Sequence, residues 1–414
     1  MNENWHLIEG YINSNDFKKA ETLISKLMRS VQSNVEQERL LFYRARTRLL
    51  SGRPDDSLAD ITSLYNLTDN LSLSPNLIEL RADAYFARFE LASVGFADRG
   101  DTTKAKQDYN QIIDQYSNYN NIGWVYYQLG RIYLTENNIG IAEEFFRQAL
   151  ISPSTVKSLT SFCYERLGFI AYYEMRDFNA AQAFVERAID TFPRSENTIW
   201  LVQAHILLSR VHKSKGAIAV AREAAEKAVQ LAELATSDTK QPLSEALLNI
   251  CELLSDISGY DKEAIHFLNQ FIQHSRKPPG IDVTWARVHE MLGNAQFNLG
   301  YFSDATASYE TVLHFNPDHP WNLLILQRIA ECHYHLRQYP KVVEVVNYIL
   351  DTAKGEGHVI VDFHIYDLLG NALFALKRYS QAVMAYESAL KLAPPNTEQL
   401  TKIQSFHNLA LKLL

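Results

Sequence analysis

The chain has 414 residues, 47% of them apolar and 21% charged, with 48 acidic and 40 basic residues for a formal net charge of −8. That is the composition of an ordinary soluble domain, and the negative balance gives no basis for binding nucleic acid or an anionic membrane surface. No apolar run approaches the length of a bilayer span, and the opening Met1, Asn2, Glu3, Asn4 and Trp5 lack the basic start of a leader, so neither membrane insertion nor a secretory signal is expected.

One phrase recurs. Leu129-Gly130, Leu167-Gly168, Leu292-Gly293 and Leu369-Gly370 are each followed, twelve residues after the glycine, by Ala142, Ala180, Ala305 and Ala382. Four residues later stand Phe146, Phe184, Tyr309 and Tyr386. Numbered within a unit, leucine falls at position 7, glycine at 8, alanine at 20 and the aromatic at 24. Positions 4, 7, 8 and 11 share one stripe of a helix, and 20, 24 and 27 share a stripe of a second. Residues without bulk at 8, 20 and 27 let two backbones approach, and aromatics fill the gaps beside them. The pattern predicts a repeated helical hairpin, and a repeat decides the architecture ahead of other signals.

In chain order, ten units account for residues 1–397: 1–34, 38–71, 75–119, 123–157, 161–195, 202–238, 245–280, 286–319, 323–357 and 363–396. The first carries Trp5, Leu7, Tyr11 and Ala20. The second departs from the phrase, with Arg44 and Arg48 where leucine and an aromatic recur. The third needs an insertion around Gly95 to Thr103. The fourth is the most regular, with Tyr126, Tyr133 and Ala149 joining Leu129, Gly130, Ala142 and Phe146. In the fifth, Ala188 and Pro193 come one residue late. Turns are expected at Asn137-Asn138, Arg176-Asp177, Lys215-Gly216, Gly259-Tyr260 and Gly300-Tyr301, with prolines between units. No segment alternates apolar and polar residues in strand fashion, so the expected class is all-α. The last segment, 398–414, sets Leu400, Ile403, His407, Ala410 and Leu414 on one stripe, as a helix capping the end of an array would.

These positions resemble the tetratricopeptide repeat, in copies longer than the family's usual 34 residues. The resemblance implies a right-handed α–α superhelix of about ten hairpins plus the capping helix. It implies that first helices line a concave face through positions 2, 5, 9 and 12, and that the protein is a non-enzymatic scaffold or adaptor binding a peptide or helix of another protein there. A sensory array whose superhelix changes on binding, and a structural subunit of a larger assembly, are the alternatives. Carried onto this sequence, the candidate face comprises Trp124, Tyr127 and Arg131, then Glu165, Phe169 and Tyr172, then Gln203 and Arg210. Toward the C-terminus it comprises Arg287, Asn294 and Asn298, then Gln327, then His364 and Asn371. Aromatics beside arginine are the residue types that anchor interfaces; Trp124 and Phe169 can equally pack against a neighbouring unit. Asn294 and Asn371 each complete Leu-Gly-Asn, and in a similar peptide-binding branch of the family this amide holds a ligand backbone. A solvated amide is the plainer alternative.

Catalytic chemistry is not expected. His289-Glu290 lacks the second histidine of a zinc helix, and His333 and His335 point about 200° apart on one helix. Cys163, Cys251 and Cys332 have neither metal nor disulfide spacing and read as reduced, buried thiols of a cytoplasmic protein. No metal or cofactor is expected. Arg39, Arg44, Arg46, Arg48 and Arg53 read as a solvated or salt-bridged helix face in preference to a phosphate site.

Overall fold

The computed structural model describes residues 2–31, 33–67, 74–92, 99–193, 199–234, 241–356, 362–395 and 398–414. Among the described residues there are twenty-one α-helices and no strand. Two compact units divide the chain, Met1–Asn197 and Thr198–Leu414. The first holds α1 (Asn2–Asn13), α2 (Phe17–Met28), α3 (Asn34–Leu50), α4 (Pro54–Leu67), α5 (Pro75–Leu91), α6 (Arg99–Gln115), α7 (Ile122–Thr135), α8 (Ile139–Ile151), α9 (Leu159–Tyr173) and α10 (Phe178–Thr191). The second holds α11 (Ile199–Ser214), α12 (Ile218–Leu234), α13 (Gln241–Ser255), α14 (Asp261–His274), α15 (Val283–Asn298), α16 (Phe302–Phe315), α17 (Asn322–His335), α18 (Tyr339–Glu356), α19 (Phe363–Ala375), α20 (Tyr379–Leu392) and α21 (Glu398–Lys412). Of the insertion expected at Gly95 to Thr103, residues 95–98 lie outside the described residues, as do the expected unit ends at 71, 195, 238, 357 and 396.

Helices pair in sequence, α1 with α2 through α19 with α20, and α21 packs on both α19 and α20. The first helix of a hairpin ends in a recurring turn. An N–H beyond the helix bonds back five residues: Asp16 to the carbonyl of Tyr11 (2.8 Å), Asn138 to Tyr133 (2.9 Å), Gln338 to His333 (2.8 Å) and Arg378 to Leu373 (2.9 Å). The residue just before the donor takes a left-handed φ, 58° at Asn15, 60° at Asn137, 58° at Arg337 and 60° at Lys377. This closure satisfies carbonyls that the helix end would otherwise leave open. At Gly216 and Gly300, with φ of 74° and 79°, glycine takes the same role without a Cβ to strain.

The small residues let the paired helices touch in three of the four full copies. A Cβ added to Gly130, Gly293 or Gly370 would fall 2.7, 2.8 or 2.5 Å from a ring carbon of Phe146, Tyr309 or Tyr386. Ala142, Ala305 and Ala382 are fully buried beside them. The fifth hairpin differs from expectation. There Gly168 faces Val185, whose methyl would lie 2.6 Å from an added Cβ, and Ala181 is fully buried in place of Ala180. Phe184 lies half-buried against Tyr164, with ring centroids 6.3 Å apart. The turn holds one extra residue: the Asp177 N–H bonds back six residues, to Ala171 (2.9 Å), and the left-handed residue is Arg176. That insertion advances α10 by one, so Ala181, Val185 and Ala188 form its packing stripe.

Two further expectations change. In α1, Trp5, Ile8 and Ile12 are buried, whereas Leu7 is 49% exposed. The second hairpin keeps an ordinary register in spite of its arginines, since Ala45, Ser57, Ile61 and Leu64 are all buried. Arg44 clasps Asp60 with two nitrogens, at 3.0 and 2.6 Å, and Arg48 reaches Asp60 at 2.9 Å and Glu21 at 3.1 Å. Arg53 joins Glu21, and Arg39 lies 4.3 Å over the Trp5 ring. The arginine run is therefore a salt-bridged face, with Arg46 exposed.

Candidate functional site

First helices of successive hairpins touch one another as well as their own second helices. In the first unit α3 meets α5, α5 meets α7 and α7 meets α9; in the second, α11 meets α13, α13 meets α15, α17 meets α19 and α19 meets α21. Within each unit these helices present a surface called here the first-helix face.

In the first unit, much of this face joins one hairpin to the next. Trp124 is half-buried; its Nε1 donates to both carboxylate oxygens of Asp83 on α5, at 3.3 and 3.2 Å, and its ring meets Tyr127 at 5.3 Å. Tyr127 is buried between Phe146 and Phe162. Arg131 donates to Gln128 (2.9 Å), pairs with Glu90 and lies 5.0 Å over the Phe86 ring. On α9, Glu165 is buried with its carboxylate 2.9 Å from Arg166, and burial raises its pKa against the pull of that guanidinium. Phe169 and Tyr172 remain half-exposed: Phe169 packs on Tyr173 at 4.5 Å, and Tyr172 on Phe178 at 5.6 Å.

Sequence reasoning missed an acidic pair at the same junction. Glu79 and Asp83, one turn apart on α5, stand at positions 5 and 9 of the third unit. Glu79 accepts two bonds of 3.0 Å from the Asn121 amide. Asp83 accepts from Tyr109, from Trp124 and from Gln128 (3.1 Å). Crowding by protein atoms, with the neighbouring Asp83 charge adding to it, pushes Glu79 up to about 8. Burial likewise raises Asp83, opposed by the bonds from Tyr109, Gln128 and Trp124. The only sequence signal was their spacing in a unit whose phrase is irregular.

In the second unit, Gln203 is exposed and donates to Glu245, while Arg210 is half-buried. Arg287 is exposed, 3.2 Å from Glu252, and Asn298 donates to Asp261 at 2.9 Å. Gln327 donates to Glu331 at 2.9 Å, and the exposed His364 ring lies 3.9 Å from that of Phe363. The Leu-Gly-Asn amides have a specific internal partner. Asn294 accepts from the Tyr309 hydroxyl at 2.7 Å and Asn371 from the Tyr386 hydroxyl at 2.9 Å; Asn371 also donates to Asp367 at 3.2 Å. Asp83 and Tyr109 make the same pairing in the third hairpin. Where position 24 carries no hydroxyl, as at Phe146 and Val185, position 9 holds Arg131 and Phe169. One acceptor of each amide therefore serves the tyrosine of its own hairpin.

No helix among the described residues is long and apolar enough to cross a membrane. No curated protein sequence matches the chain. Similar solved structures include the C-terminal part of a TPR repeat-containing protein from Cytophaga hutchinsonii, 17% identical over 67% of this chain and 98% of that one, with a TM-score of 0.45. They also include a tetratricopeptide repeat protein from Parabacteroides merdae, 11% identical over 70% and 98%, at 0.37. A third is YrrB, a TPR protein with an unusual peptide-binding site, 17% identical over 52% and 96%, at 0.39. Sequence profiles of the tetratricopeptide repeat match residues 125–150 and 363–396, and a second such profile matches 80–119. The first two of those stretches hold hairpins whose glycines, alanines and turns are described above, and the matched parts of the chain are tetratricopeptide repeats.

Proposed function

We propose that this protein is a non-catalytic interaction scaffold that takes a peptide segment or helix of another protein on its first-helix face. The observation that supports this reading is the set of half-buried rings on the first helices, Trp124 on α7 and the mutually packed Phe169, Tyr172 and Tyr173 on α9, with Arg166 5.8 Å over the Phe169 ring. Aromatic rings and guanidinium groups lose little conformational freedom for the area they cover, which is why they anchor interfaces. Tyr127 and Glu165 act beneath that surface as its supports, being buried themselves. Buried free thiols, with burial pushing Cys163 and Cys251 up to about 12, support a reducing, cytoplasmic location.

Site-specific photo-crosslinking in the native cell tests the face directly. A crosslinker in place of Tyr172 is expected to capture a partner protein that one in place of the exposed Glu186 on α10 does not. Capture from Glu186 alone would move the interaction to the second helices and overturn the assignment. Phe169→Ala with Tyr172→Ala is expected to abolish that capture while leaving the melting temperature within a few degrees, because both rings are only half-buried.

A further inference from the structure

We propose that the outer groove of the first hairpin, between α1 and α2, is the seat of an acidic amphipathic helix from a partner protein. It is a second surface, separate from the face described above. Position 7 of the unit is where the first hairpin departs from the later ones. In later hairpins Leu129, Leu167, Leu292 and Leu369 hold this position and are 0, 2, 5 and 7% exposed. Each shares a core with the second helix of the preceding hairpin: Leu129 with Tyr109 and Ile112 of α6, Leu167 with Phe146 and Ala149 of α8, Leu369 with Val346 and Ile349 of α18. Position 7 of a first helix is thus a place where this chain repeatedly seats a helix. In α1 the residue is Leu7, 49% exposed.

The groove around it has the form and charge for such a guest. It measures about 620 Å³ and is walled by Leu7 and Tyr11 of α1 and Leu23 of α2. Lys18, Lys19 and Lys26 also line it. Lys19 is held by Asp16 at 2.5 Å and lies 5.9 Å from the Tyr11 ring. Lys18 and Lys26 are exposed and have no carboxylate within ion-pair distance among the described residues. Glu21, the acidic residue of α2, is turned to Arg48 and Arg53 of the next hairpin. In a chain with a net charge of −8, three lysines and one aspartate make this groove locally basic. A helix with apolar residues along one stripe and carboxylates on its flanks matches both features, seating its stripe on Leu7, Tyr11 and Leu23 and its carboxylates beside the ammonium groups.

The test uses the full chain and two fluorescent helical peptides of about fifteen residues, with leucine at the same spacings in both. One carries glutamate on its flanks and the other lysine. Fluorescence anisotropy is expected to give saturable, salt-sensitive binding of the glutamate peptide alone. Leu7→Asp, and separately Lys18→Glu with Lys26→Glu, should each weaken it about tenfold or more. Phe169→Ala, on the first-helix face, should leave it unchanged, so failure here is distinguishable from failure of the function proposed above. The proposal is overturned if the glutamate peptide does not bind, if the lysine peptide binds equally, or if neither groove variant weakens binding. It is also overturned if sedimentation shows the chain self-associating through this groove, with Leu7→Asp abolishing the association, since the guest is then a second copy. Circular dichroism checks the fold of each variant; should Leu7→Asp unfold, the lysine reversals decide alone.

Discussion

Gly370 and Gly10 are both helical glycines, and their surroundings give opposite expectations. An added Cβ at Gly370 would lie 2.5 and 2.6 Å from two carbons of the Tyr386 ring, which is itself fully buried and bonded to Asn371. The ring cannot retreat, so Gly370→Ala is expected to destabilise the second unit by about 1–3 kcal/mol through overpacking. Nothing lies within 4 Å of a Cβ at Gly10, and Gly10→Ala should stabilise by about 0.5–1 kcal/mol, because only the backbone entropy of the unfolded chain changes. Urea midpoints of the two variants check this, and equal effects would remove the close-packing role assigned to the glycine of Leu-Gly. That role was legible from spacing alone. The matching role of Ala181 was not, because Ala180 and Ala181 are adjacent and fit spacings of twelve and thirteen equally well. Only the extra residue in the turn before α10 separates them.

At the scale of elements, polar contacts between helices set which hairpins hold together most firmly. Asp60 is 2% exposed and receives both Arg44 and Arg48. Asp60→Ala leaves two guanidinium groups without their buried partner and is expected to cost about 3 kcal/mol, measured by denaturant unfolding. Exposed pairs such as Lys402 with Glu398 should change stability by less than about 0.5 kcal/mol. The α5–α7 junction is expected to depend on pH, with a sign set by Glu79. The carboxyl of Glu79 is raised from an ordinary value of 4.5 to about 8. Below pH 4.5 folded and unfolded chains both hold that proton, and the junction has its full strength. As the pH rises to about 8 the unfolded chain releases a proton that the folded one keeps, so this contribution is lost progressively. Glu79→Gln should therefore gain stability over the natural chain as the pH goes from 5 to 8, read as a widening gap in melting temperature. A constant or narrowing gap would mean that Glu79 ionises freely. The pairings of Asp60, Glu79 and Asp83 were not readable in sequence, because their partners lie 12 to 45 residues away on different helices.

Across the whole molecule, each hydrophobic cluster among the described residues falls within one of the two units. Those built on α1 to α9 lie within Met1–Asn197, and those built on α11 to α21 lie within Thr198–Leu414. A repeat protein draws its stability from contacts between neighbouring hairpins, so fragments 1–197 and 198–414 are each expected to be helical with a cooperative melt. A fragment that stays unfolded by circular dichroism would show that it depends on the other. The helices, the hairpin repeat and the close approach at Leu-Gly are written in the order of residues alone, because they follow from the helical period and from side-chain size, which are local. The tertiary structure decided what the period cannot express. It placed Arg44 and Arg48 against Asp60, bound Asn294 and Asn371 to their own tyrosines, sank Tyr127 and Glu165 beneath the face, and left Leu7 open. Each of those outcomes depends on which side chain arrives from another helix, and arrival is a matter of packing in three dimensions.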